Sequence, residues 1–137
     1  MRLVSLTCSN TEIVWALGCL DWLVGVDDHS DHPPEVARLP RVGPDLQVDL
    51  DKVEDLRPDL VLASLSVPGM ERVVEGLQAR RIPHLVLDPQ SLQEVYGDIL
   101  RVAQALGVVQ RGSLVVRAMQ QMLARAPVSY THLRAHE

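Results

Sequence analysis

"RLVSLTCSNTEIVWALG", residues 2–18, starts as a short apolar, β-favouring run and ends as a helix-like one. A buried strand turning directly into a helix is the first half of a strand–helix–strand unit, so this stretch decides the fold class. "SNTE" (9–12) reads as a capping box. In it Ser9 accepts from the N–H three residues on, and Glu12 reaches back to the N–H of Ser9. Ile13, Val14, Ala16 and Leu17 then give an apolar stripe, and Gly18 gives a stop.

The same unit repeats outward along the chain. "LVGVD" (23–27), "DLVLAS" (59–64) and "HLVLD" (84–88) are three further strands. "DLDKVEDLRP" (49–58) puts Leu50, Val53 and Leu56 on one helical face before Pro58 ends it. "PGMERVVEGLQARR" (68–81) places Met70, Val73, Val74 and Leu77 at amphipathic spacing. A second capping box, "SLQE" (91–94), opens a helix whose inward set is Leu92, Val95, Tyr96, Ile99, Leu100, Ala103 and Leu106, ending at Gly107. "QRGSLVVRAMQQMLARA" (110–126) is also helical, with Leu114, Ala118 and Met122 in register as packing residues. Alternating strands and helices predict an α/β fold: an open parallel sheet of about four strands with flanking helices and right-handed crossovers. "PVSYTHLRAHE" (127–137) shows neither period and reads as a non-native tail.

Composition bounds the function. At 137 residues, 47% hydrophobic and 23% charged, the chain is one globular domain with its own core. The net charge of −5 argues against nucleic acid as a partner. No apolar run approaches the ~20 residues that span a bilayer. "MRLVSLTCSN" lacks the apolar region of ~7–15 residues found in a signal peptide, which by itself points to the cytoplasm. Cys8 and Cys19 flank a helix that would hold them ~15 Å apart. A disulfide needs Cα atoms within ~7 Å, so none is expected between them.

In open α/β sheets ligands bind beyond the carboxyl ends of the strands. Polar residues gather in all four loops at that edge. Cys8, Ser9 and Asn10 follow the first strand; Asp28, His29, Asp31 and His32 follow the second; Ser64 and Ser66 follow the third; Asp88 follows the fourth. Each has a structural reading too. Ser9 is explained as a cap alone, Asp88-Pro89 and Pro68-Gly69 as turns. Zinc needs three or four converging ligands, and histidines in a Ser/Asp/Pro loop more often face solvent. Cys8 sits at a helix N-terminus, where a pair with His29 is conceivable, but a small buried thiol is the default. No G-x-S-x-G elbow, G-x-G-x-x-G or phosphate-binding loop motif occurs.

From Arg2 to about Ala126 the chain resembles the N-terminal lobe of the cobalamin/iron-complex substrate-binding proteins of ABC importers, the vitamin B12-binding group above all. The resemblance is carried by residues 2–18, "LVGVDDHSDHPPEV" (23–36), "LPRVG" (39–43), "DKVEDLRPDLVLAS" (51–64), "GMERVVEGLQARRIPHLVLDP" (69–89) and "ALG" (105–107). It implies two α/β lobes joined by one long helix, with ligand in the groove between. On that reading residues 1–108 are the first lobe, 109–126 start the inter-lobe helix, and the second lobe is absent from this chain. Asp31, His32 and Pro33 match the family's Asp–aromatic–Pro loop, which lines the groove. Ser64 departs from the pattern, standing where the enteric B12-binding proteins carry tryptophan. Glu71 matches a glutamate that meets transporter arginines.

The resemblance therefore implies a non-enzymatic, monomeric, extracytoplasmic carrier with no cofactor or metal ion of its own. Its partners would be a small metal chelate, cobalamin or similar, and a membrane permease. Iron-siderophore or haem, bare zinc or manganese, and a chelatase-like enzyme using His29 or His32 stand as alternatives. So does a thiol protein working through Cys8.

Overall fold

The computed structural model describes residues 1–44 and 46–124. The expected tail at 127–137, and the last residues of the expected inter-lobe helix, lie outside the described residues. Four strands form one wholly parallel sheet: β1 (Leu3–Ser5), β2 (Leu23–Val26), β3 (Leu60–Ser64) and β4 (His84–Leu87). Their spatial order is β2-β1-β3-β4. Among the described residues five α-helices accompany them: α1 (Cys8–Ala16), α2 (Leu50–Asp55), α3 (Glu71–Ala79), α4 (Leu92–Leu106) and α5 (Val109–Ala124).

Side chains alternate across a strand, so each face of the sheet receives its own core. Leu3, Leu62 and Leu87 meet Val14 and Leu17 of α1 and Ile99, Val102 and Ala103 of α4 on one face. Val4, Val61 and Ala63 meet Val53 of α2 and Val73, Val74 and Leu77 of α3 on the other. These are doubly covered strands, which is why they read as continuous apolar runs rather than alternating ones.

Three local expectations are corrected. Thr7, not Ser9, caps α1: its side chain accepts from the N–H of Asn10, and Ser9 lies in the first turn. The helix therefore starts two residues before the Ser9–Glu12 box would place it. On α4, Leu100 is exposed, while Val102, outside the expected inward set, is fully buried.

On α5 the expected stripe is the outer one. Leu114 and Met122 are 62% and 73% exposed, and Gly112 and Val116 are buried instead. The cause is a close helix crossing: a Cβ on Gly112 would sit 2.4 Å from the Cβ of Ala103. That contact turns the face carrying Val115, Val116, Met119 and Leu123 toward the core. Ser91 caps α4 as expected, its Oγ accepting from the N–H of Glu94 and donating to Glu94 Oε2, each at 3.2 Å. Gly107 ends α4 in the left-handed conformation (φ +74°).

Candidate functional site

The strand order makes one place special. From β1 the chain moves outward to β2, then returns past β1 to β3, so the loops after β1 and β3 run off in opposite directions. Such a switch point leaves a crevice at the carboxyl edge. A solvent-open cavity of about 330 Å3 lies there. Ser9 and Asn10 line it from the β1 side, Ser64 and Ser66 from β3, and Leu87 and Pro89 from β4. Apolar side chains line the rest of it, Ile13 of α1, Val95 and Ile99 of α4, Val115 and Met119 of α5, together with the carboxylates of Glu12 and Asp98.

Asn10 spans the crevice floor. It is 2% exposed, and its Nδ2 donates to the carbonyl of Ala63 at 3.1 Å, tying the two diverging loops together. Ser64 is buried, and its Oγ lies 2.8 Å from Ser66 Oγ and accepts from the Ser66 N–H. The crevice thus combines hydroxyls and two carboxylates with a largely apolar lining.

The loop after β2 forms a separate rim. Asp28, His29, Asp31 and His32 are all exposed. His32 stacks edge-on against Trp15 of α1, ring centroids 4.9 Å apart. Asp28 is turned aside, its Oδ1 accepting from the N–H of Gly43. Cys8 is exposed, not the small buried thiol expected by default, because α1 begins at that residue and turns it outward. Its Sγ donates to the backbone carbonyl of His29 at 3.0 Å, which links the β1 and β2 loops. Cys19 is the buried thiol, pushed up by desolvation against the opposing pull of Arg111, and the two cysteines are not joined. Among the described residues, no group of three or more His, Cys, Asp or Glu side chains converges to hold a metal ion.

Asp88 stays outside the cavity. Its Oδ1 accepts from Gln90 Nε2 at 3.0 Å, while its neighbours Leu87 and Pro89 line the crevice. Glu71 opens α3, exposed, with Oε2 accepting from the N–H of Gly69 at 2.9 Å.

Sequence reasoning missed Trp15, Thr11, Asp27, Ser30 and Asp98. Asp98 was readable: it falls on the inward face of α4 between Val95 and Val102. It is 7% exposed; Oδ1 accepts from Arg101 Nη1 at 3.3 Å, and Oδ2 has no partner among the described residues. Burial pushes its carboxyl above the usual range, and Arg101 pulls the other way.

Comparison with known proteins fits this geometry. The periplasmic binding protein family matches residues 3–132. An ABC transporter substrate-binding lipoprotein of Bacillus subtilis, YvrC, is 38% identical over 124 residues, covering 89% of this chain and 39% of that protein. The vitamin B12-binding protein of Photorhabdus laumondii is 31% identical over 104 residues, covering 76% of this chain and 38% of its own length. Among solved structures, a periplasmic heme-binding protein of Pseudomonas aeruginosa superposes with a TM-score of 0.81 at 31% identity, over 90% of this chain and 44% of that one. The chain spans less than half the length of each of these proteins. No helix among the described residues is long and apolar enough to cross a membrane.

Proposed function

Because this chain belongs to the periplasmic binding protein family, we propose that it supplies one ligand-binding lobe of an ABC-importer substrate-binding protein. The ligand class is a metal chelate of the cobalamin or haem type, and the downstream partner is a membrane permease. The relatives are periplasmic binding proteins and a lipoprotein, so the place of action is extracytoplasmic.

The observation that carries this reading is the crevice at the switch point between β1 and β3. Hydroxyls from Ser9, Ser64 and Ser66 and the carboxylates of Glu12 and Asp98 share it with a largely apolar lining. The exposed Trp15–His32 pair forms a neighbouring rim. A flat, largely apolar chelate with a polar periphery is complementary to such a surface. Glu71, exposed at the start of α3, is the docking contact for the permease on this lobe.

The test is a visible-absorption titration of the chain with cyanocobalamin and with haemin. One lobe offers one side of a groove, whereas small-ligand sites bury roughly 70–90% of their ligand. Binding weaker than micromolar is therefore expected. A micromolar or tighter complex would contradict the single-lobe reading, and no spectral change with either chelate would contradict the ligand class.

A further inference from the structure

We infer that Thr11 and Asp27 are positioning residues that set the His29–His32 rim against α1. The inference rests on the reading of that rim as ligand-facing, but its geometry stands separately.

Four polar side chains are buried together beneath the rim. Ser5 and Thr11 are fully buried, and Asp27 and Ser30 are each 1% exposed. Buried polar groups are costly unless hydrogen-bonded, so such a group is kept only when its members satisfy one another. Here they do. Asp27 closes the turn on itself: Oδ1 accepts from Ser30 Oγ, and Oδ2 accepts from the N–H of His29 at 3.2 Å. Ser30 has one hydroxyl hydrogen, and Asp27 takes it. Ser30 Oγ and Thr11 Oγ1 meet at 2.9 Å, so the two hydroxyls are in hydrogen-bond contact. Thr11 Oγ1 donates to Ser5 Oγ at 2.8 Å, which anchors the hydroxyls to β1, and it lies 3.1 Å from the carbonyl of Thr7.

The outer side of the same turn is held by Arg41, whose Nη1 donates to the carbonyls of Asp27 and Ser30. Residues 27–30 are thus fixed from inside and outside, while the side chains of Asp28, His29, Asp31 and His32 remain exposed. Thr11 and Trp15 are four residues apart on α1 and so share a helix face. One turn of α1 pins the base of the loop; the next receives the His32 ring. The rim is registered to α1, and through it to the crevice that Ser9 and Asn10 line.

The test is nuclear Overhauser contact between the Trp15 and His32 rings, read on the whole chain without ligand. Wild type should show it. Thr11→Val keeps the volume but removes the hydroxyl that meets Ser30, and Ser30→Ala removes the link to Asp27. Each should lose the ring-to-ring contact while the methyl resonances of Leu62 and Val61 keep their native positions. Should Thr11→Val fail to fold, Ser30→Ala decides. A wild-type contact retained at full strength in a folded variant, or absent from wild type, overturns the inference. A parallel titration with cyanocobalamin separates the two ideas. If the ring contact responds as stated but the His32 resonances ignore the chelate, the positioning stands and the ligand-facing reading fails.

Discussion

The rings of Trp15 and His32 meet edge to face, centroids 4.9 Å apart and planes 88° apart, although Trp15 is 46% exposed. A large aromatic left this open is a contact surface in waiting. Aromatic pairs are worth about 0.5–1.5 kcal/mol beyond burial, and an exposed pair lies at the low end. His32→Ala should therefore change unfolding free energy by less than about 1 kcal/mol. Chelate affinity should fall by about tenfold or more, about 1.4 kcal/mol. Urea denaturation and a cyanocobalamin titration check the two halves; a large stability loss with unchanged affinity would make the pair structural.

Thr7→Ala should cost about 0.5–2 kcal/mol, because it deletes the cap of α1. Ser9→Ala should stay within about 0.5 kcal/mol, since Ser9 is exposed in the first turn and meets Thr7 Oγ1 only at 3.3 Å. Chemical denaturation of both variants reads the difference. Equal losses would return the cap to Ser9.

Asp98 sets a pH dependence. Its folded-state carboxyl is raised, chiefly by burial, so between the unfolded and folded values the native state binds the extra proton. Stability from this group is then fully present below the unfolded value and is lost as pH rises through the folded one. A buried oxygen without a partner costs about 1–3 kcal/mol, which bounds what can be recovered. Asp98→Asn should gain on wild type near neutral pH, and the gap should close on the acid side. Urea midpoints for both proteins across that range test it. A gap that does not change with pH would mean the carboxyl titrates as in the unfolded chain.

Glu71→Ala should leave chelate affinity unchanged. It should slow association with the cognate permease at low ionic strength and flatten the salt dependence, as for any rim charge that steers docking. Association rates at two salt concentrations decide; identical profiles for mutant and wild type would remove Glu71 from the docking surface.

The fold was legible because its signals are local and doubled. β3 is a continuous apolar run, and α3 shows Met70, Val73, Val74 and Leu77 at the spacing of one buried face. Gly107 closes α4 where its apolar period stops. The face of α5 was not legible. Leu114, Ala118 and Met122 and the true inner residues Val115, Val116 and Met119 have nearly the same apolar weight, and only the Gly112–Ala103 approach chooses between them. At the site, loop positions followed from strand ends, which placed Ser9, Asn10, Ser64 and Ser66 together. The network under the rim did not, because Thr11 and Ser30 are nineteen residues apart and each alone reads as an ordinary helix or turn residue.

The most direct test of the account is to map where a chelate touches this chain. Backbone amide shifts would be followed during titration with cyanocobalamin and, separately, haemin. The account predicts small, saturable shifts confined to the carboxyl edge: residues 8–10, 28–32, 64–66 and 88–90, with Trp15. Shifts clustered on α2 or the outer face of α3, or none at the carboxyl edge with either chelate, would contradict it.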